Sequence, residues 1–329
     1  MDQISFESII SLENLLMAWK EFLHGKRQRK DVQEFEQHLM RNIIALHNDL
    51  KSKSYCHGGY QAFNISDPKP RNIHKASVRD RLLHHAIYRI LYLHFDSTFI
   101  HDSYSCRKWK GTHKALRRFE HFGRKVSLNN TRACYVLKCD VRKFFASIDQ
   151  EILMAILKKH ISDTDTVWLL EKVIESFSST KTGKGLPLGN LTSQLLVNIY
   201  MNEFDQCMKH TYNIKYYIRY ADDFVIFHHD KSVLEELLPK IGEYVEEKLK
   251  LQLHPDKVFI KTLSSGVDFL GWVHFSHHRV LRTTTKKRML RNLKNNPDNQ
   301  KTTQSYLGLL QHGNAFKLAE RVQALISSS

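Results

Sequence analysis

The spacing of apolar residues changes several times along this chain, and the changes mark out its elements. In the first 56 residues Ile9, Leu12, Leu15, Leu16, Trp19, Phe22 and Leu23 recur at helical spacing, as do Phe35, Leu39, Ile43, Ile44, Leu46 and Leu50 further on. Ser11 with Asn14 suits a helix start, and the basic run 26–30 separates the two periodic stretches. Pro68 and Pro70 enforce an extended backbone over 67–71. A strongly amphipathic helix is predicted over 78–95, carried by Val78, Leu82, Leu83, Ala86, Ile87, Ile90 and Leu91. The pattern over 133–139 is an apolar strand that ends in Asp140, followed by a short turn bearing Phe144 and Phe145. Asp149 is placed to cap a helix running to 160. Further helices are predicted over 165–178, 190–207 and 233–251, with a glycine-rich turn at 182–189. Strand formers at 215–220 and 224–228 flank Ala221, Asp222 and Asp223, which predicts a hairpin with two carboxylates at its tip. A turn into a strand follows at 254–258, then strand–turn–strand over 265–272, then helices carrying Tyr306, Leu310, Phe316 and Val322.

Charge changes this picture more than composition does. The net charge of +16 points to a polyanionic partner, nucleic acid or an anionic membrane. No apolar run approaches the roughly 18 residues that span a bilayer, and the N-terminus lacks the basic and apolar regions of a signal peptide. Nucleic acid is therefore the expected partner, with no membrane. Five scattered cysteines without a C-x-x-C pair fit a reducing cytoplasm rather than a disulfide framework or a zinc ribbon. The histidine pairs at 84–85, 228–229 and 277–278 make poor chelates wherever they fall on strands, since neighbours there face opposite ways. Residues 103–116 interleave aromatic with basic side chains, and Arg107 and Lys108 are candidate nucleic-acid contacts; a solvated loop accounts for the lysines almost as well. A second basic stretch contains Arg282, Lys286, Lys287, Arg288 and Arg291.

Two adjacent carboxylates between apolar strands are costly unless a cation sits among them. A solvated turn would explain an arbitrary Asp-Asp pair. Asp140, at the end of its own strand, is the candidate third carboxylate. With Asp140, the glycine-rich turn and Tyr220-Ala221-Asp222-Asp223 in this order, the chain resembles a reverse transcriptase over about residues 65–275. The resemblance implies an α+β right-hand polymerase, with an antiparallel palm sheet backed by helices. Its expected divisions are a helical N-terminal segment (1–60), fingers (61–132), a palm (133–275, with a finger-side insertion at about 160–185) and a basic helical thumb (276–329). Asp140, Asp222 and Asp223 would be the catalytic carboxylates, Asp222 foremost, holding two Mg²⁺ ions (Mn²⁺ as a substitute) with the Val141 carbonyl as a further ligand. Such ions sit about 3.5–4 Å apart and prefer oxygen donors, so carboxylates distant in sequence must converge.

The same resemblance assigns the incoming nucleotide to Lys69, Arg71, Phe145, Leu188, Gly189, Gln194 and Lys257. Arg71 would clamp the triphosphate with its planar fork. Phe145 would exclude a ribose 2′-hydroxyl. Lys257 would be the general acid towards pyrophosphate, though a surface lysine reads the same in sequence. Phe269, Gly271 and Trp272 resemble a primer grip. Leu188 before Gly189, with Ser193-Gln194 after, resembles the reverse transcriptases of diversity-generating retroelements, as do the His24–Arg27 loop and the Pro68-Lys69-Pro70-Arg71 box. That group implies copying of a template-repeat RNA into cDNA with errors at adenines, from primer and dNTPs, beside a small basic accessory variability protein. The alternatives are another bacterial reverse transcriptase (phage-defence, retron-like or intron-derived) and a catalytically silent RNA-binding palm. The absence of a maturase extension after the basic helices is read against a full intron protein.

Overall fold

A computed structural model describes residues 4–66, 70–179, 181–295 and 299–327. Among them, strands β1 (Tyr60–Ile65), β2 (Arg71–Ala76), β3 (Tyr135–Asp140), β4 (Tyr217–Tyr220), β5 (Asp223–His228), β6 (Phe259–Thr262), β7 (Val267–Phe269), β8 (Trp272–His274) and β9 (Arg279–Leu281) form three antiparallel sheets. The chain sorts into two units interleaved in sequence.

The first unit draws on the described residues of Met1–His101, Val141–Asn213 and Gly242–Leu253. Its centre is the helix Val78–Asp96, where Leu82, Leu83, Ala86 and Ile87 are fully buried. The Ser77 hydroxyl caps this helix by accepting from the Asp80 amide (3.1 Å). Helices Leu12–Phe22 and Leu191–Gln206 pack against it. Asn14, buried at that contact, donates to the carbonyls of Ile9 (2.8 Å) and Ala86 (3.2 Å) and accepts from Arg89 Nε (3.0 Å). A buried polar group so satisfied fixes the pairing of the two helices without an orphaned amide. Asp80 is likewise saturated, accepting from Tyr55 Oη (2.8 Å), the Gly58 amide (3.0 Å) and Ser77 Oγ (2.6 Å). The β1–β2 hairpin belongs to this unit, pairing from Tyr60↔Ala76 to Ile65↔Arg71. Its first strand was not expected: the run 60–65 has no clean alternation, and most of its residues remain exposed.

The second unit comprises Asp102–Asp140, Ile214–Ile241 and the described residues of His254–Ser329. Its four-stranded sheet has the order β4-β5-β3-β6, so β3 and β5 are central and buried along most of their length. Helix Thr112–Val126 packs on β4 and β5, where Phe119 meets Phe227 edge-on (4.7 Å between ring centres) and stacks on Phe269 (5.3 Å). That apolar cluster extends into the β7-β8-β9 sheet and on to Met289, Leu293, Leu310 and Val322 of the last helices. Trp272 is its largest member, and any side-chain carbon at Gly313 would collide with the indole. No described helix is long and apolar enough to cross a membrane.

Candidate active site

The carboxylates are placed by the register of the second unit's sheet. β3 ends at Asp140, β5 begins at Asp223, and the two stand directly opposite each other in the β3–β5 ladder. Asp223 also pairs with Tyr220 across β4–β5, which leaves a two-residue connection, Ala221 and Asp222. The sequence pattern had put Asp223 in the turn itself; hydrogen bonding to strands on both sides draws it into the sheet. Tight hairpin connections of this length need a positive φ, usually supplied by glycine. Ala221 takes it, at φ 56°. Its carbonyl accepts from Arg219 Nη1 (3.2 Å), and Arg219 Nη2 donates to Ser103 Oγ (3.2 Å). Arg219 is wholly buried, and its backbone is bonded to Asp102 and Tyr104, so the guanidinium is a fixed brace beneath the turn.

Cations already accompany Asp223 and Asp140. Lys138, on the same face of β3 as Asp140, puts its ammonium 3.3 Å from Asp223 Oδ2. Lys257 donates to Asp140 Oδ1 (2.9 Å), from a turn fastened by the His254 amide to the Asp140 carbonyl (2.7 Å). The other oxygen of Asp223, Oδ1, is buried with no hydrogen-bond partner. Burial pushes the Asp223 carboxyl up to about 7 against the pull of Lys138, and the negative charges of Asp140 and Asp222 push the same way. Among the described residues no three acidic, histidine or cysteine side chains close around a metal-sized space. The donors present nonetheless fit a hard divalent cation: they are carboxylate oxygens, mutually repelling, one of them buried and unsatisfied.

Lys257 apart, the residues expected at the nucleotide belong to the first unit. Lys69 lies outside the described residues, and Arg71 opens β2 with its side chain exposed. β2 is held to the glycine-rich turn through one residue: the His74 amide donates to the Leu188 carbonyl (3.0 Å), and Asn190 Nδ2 donates to the His74 carbonyl (2.9 Å). Gly189, at φ 112°, lies so close to β2 that a Cβ would come within 2.8 Å of Ile73 Cγ2. Phe144 and Phe145, expected in a turn, begin a short helix, Phe144–Ser147. Phe145 is half-buried, and its carbonyl accepts from the Leu186 amide (2.8 Å). Gln150 Nε2 donates to the carbonyls of Ile174 (3.1 Å), Phe177 (2.7 Å) and Gly185 (2.9 Å), tying the same loop down from below. Gln194 is half-buried in the first turn of helix Leu191–Gln206, and Val141 is buried and bridged to Leu253.

The expected nucleic-acid contacts are all in the second unit. Lys108 is exposed and Arg107 half-buried, donating to the Ser103 carbonyl (3.1 Å). Phe269 and Trp272 are core residues, and the connection between them, Leu270 and Gly271, is the more exposed part. Arg282 donates to Asp268 (2.9 Å); Lys286, Lys287 and Arg291 are exposed on helix Thr283–Asn295, and Arg288 is half-buried there. Lys138 and Arg219 escaped the sequence reading. Their signal was a charge inside an otherwise apolar strand, which demands a buried partner.

An antiparallel sheet that brings strand-end carboxylates together at a hairpin turn places this molecule in a known class. The chain belongs to the reverse transcriptase (RNA-dependent DNA polymerase) family, whose model matches residues 65–274. It is 27% identical to protein YkfC of Escherichia coli over 258 residues (67% of this chain, 66% of that protein). It is 23% identical to the group II intron-encoded protein LtrA of Lactococcus lactis over 277 residues (64% of this chain, 44% of LtrA). The chain thus spans under two thirds of each relative's length. In fold it is similar to telomerase from Candida albicans (TM-score 0.54, 11% identity, 74% of this chain and 51% of that one), which is the right-hand polymerase fold.

Proposed function

We propose that this protein is an RNA-directed DNA polymerase that extends a primer on template RNA with dNTPs. The observation that carries the reading is the facing pair Asp140 and Asp223 with Asp222 in the connecting turn. Asp140, Asp222 and Asp223 would hold Mg²⁺, with the Val141 carbonyl beside them. When bound, two such ions stabilise the attacking 3′-oxygen and the departing pyrophosphate. The chain's own tasks are positioning and proton transfer. Arg71 binds the triphosphate as a planar, bidentate donor. Phe145 presents a ring against the sugar and selects deoxynucleotides. Lys257, already held at Asp140, is the proton donor to pyrophosphate. Primer extension on an RNA template with dNTPs and Mg²⁺ tests this directly. Wild type should extend, Asp222→Asn should not, and rNTPs should be poor substrates. A silent RNA-binding palm would extend nothing in either form.

The finer reading is mutagenic copying of a template-repeat RNA, in the cytoplasm and beside a small basic accessory protein. Its support is Leu188, whose apolar side chain occupies the position before Gly189 and cannot offer a nucleotide the polar contacts of a glutamine. Recognition that lacks such hydrogen bonds discriminates less among bases. Leu188→Gln should lower misincorporation opposite template adenine; an unchanged error spectrum would remove this reading. The similarity to LtrA favours a second one, an intron-encoded reverse transcriptase. Such an enzyme would copy adenines as faithfully as other bases, so sequencing wild-type cDNA separates the two.

A further inference from the structure

We propose that Trp109 is a stacking platform for an unpaired base of the nucleic-acid strand that this protein binds. Trp109 is 87% exposed, whereas Trp19 and Trp272 are buried at 3% and 1%. An indole left in water gains nothing for the fold, and this one also sits at φ 62°, a backbone region that bulky residues avoid. Strain at an exposed aromatic is a reason to look for a ligand rather than a packing partner.

The loop that presents it is stiff. The Gly111 amide closes it on the Tyr104 carbonyl (3.0 Å), the Lys110 amide bonds to the Arg107 carbonyl (3.3 Å), and Lys110 Nζ lies over the Tyr104 ring (5.3 Å). Its ends are fastened to the strand that leads into the Asp222 turn: the Tyr104 amide donates to the Arg219 carbonyl (3.0 Å), and Thr112 Oγ1 meets Tyr220 Oη (3.1 Å). A rigid aromatic loses little entropy when it binds.

Charge decides the kind of partner. No acidic residue occurs between Asp102 and Glu120, while Arg107, Lys108, Lys110, Lys114 and Arg117 do; Arg118 is already held by Asp102 (2.8 and 3.1 Å). An exposed ring set in cationic sequence matches a single strand, whose phosphates take the charges and whose bases take the face. The inference rests on the polymerase reading only for why such a strand lies along β4; the contact itself needs no metal.

The test is a titration of a dye-labelled oligouridylate of about eight nucleotides with the whole protein, read by fluorescence anisotropy without divalent metal, with the wild-type tryptophan emission followed in parallel. Wild-type emission should be quenched on binding. Trp109→Phe should bind comparably, and Trp109→Ala and Trp109→Gly should bind about tenfold more weakly. Trp109→Gly should melt no lower than wild type, because glycine takes a positive φ at no cost, which separates a lost contact from a lost fold. Equal affinity in wild type, Trp109→Ala and Trp109→Gly overturns the proposal. So does unchanged RNA affinity with lost self-association, which would make this a surface for a second copy. Trp109-dependent binding in a protein that extends no primer would sink the polymerase reading and leave this one standing.

Discussion

Asp223 is acidic, buried on a central strand and short of one hydrogen bond, which makes its protonation a matter of stability as well as chemistry. Its carboxyl holds a proton up to about pH 7 in the folded protein, whereas an unfolded chain releases it near 4. This group's favourable contribution is therefore complete below about pH 4 and is lost as pH rises through about 7. Asp223→Asn should flatten that part of the metal-free stability profile and raise the denaturation midpoint at pH 8, while abolishing primer extension. A midpoint that falls instead would mean that the carboxylate is well satisfied as it stands. Lys138→Met takes away the nearest cation and leaves the buried charge uncompensated. Such half-removed pairs cost roughly 3–5 kcal/mol. Denaturant unfolding at pH 8 should show a loss of that order, partly recovered by adding Mg²⁺.

At the scale of elements, the sequence was most readable where period and cap agreed. The helix expected over 78–95 is Val78–Asp96, and Asp149 caps its helix by accepting from the Ile152 amide (3.2 Å). The hairpin before Asp222 was visible because aromatic and β-branched residues run up to both sides of the turn. What period cannot express is a contact between distant segments. β1 has no alternation because both its faces are largely exposed, so only its pairing with β2 reveals it. The partnership of Lys138 with Asp223, and of the His74 backbone with Leu188 and Asn190, depends on which strand or turn lies alongside. Gly189 exposes this dependence. Gly189→Ala adds one methyl against Ile73 and strains a φ of 112°, so β2 must shift. Since β2 carries Arg71, the expected result is a raised KM for dNTP, with loss of thermal stability; an unaltered KM would show that β2 does not position the nucleotide.

For the molecule as a whole, the charge of +16 sets how it meets a polyanion. Lys286, Lys287 and Arg291 are exposed along one helix, and each phosphate they neutralise releases counterions. Reversing all three should weaken template–primer binding and shallow its log–log salt slope by about 2–3. A slope equal to that of wild type would place the strand elsewhere. Acid should act in the opposite sense to Asp223: burial lowers His84 to about 3, His85 to about 4 and His274 to about 3. An unfolded chain takes up these protons near 6.5, so the three contributions are complete above that pH and are lost as pH falls towards 3. Thermal melts from pH 7 to 4 should show a steep fall, and His84→Asn should lessen it.

The direct opposition of Asp140 and Asp223 has one more consequence, for how this protein can change. Neighbouring residues of a strand face opposite ways, so the ladder counts in whole steps. Deleting or inserting one residue between Tyr220 and Asp223 would break their pairing across β4–β5, and a one-residue slip of β5 to restore it would set an apolar Phe224 or the turn opposite Asp140 and send a carboxylate into the core. Point substitutions can tune this centre by degrees, but a length change there is all or nothing. Evolution and engineers alike are left with loops outside this ladder as the places where this chain can be lengthened or trimmed.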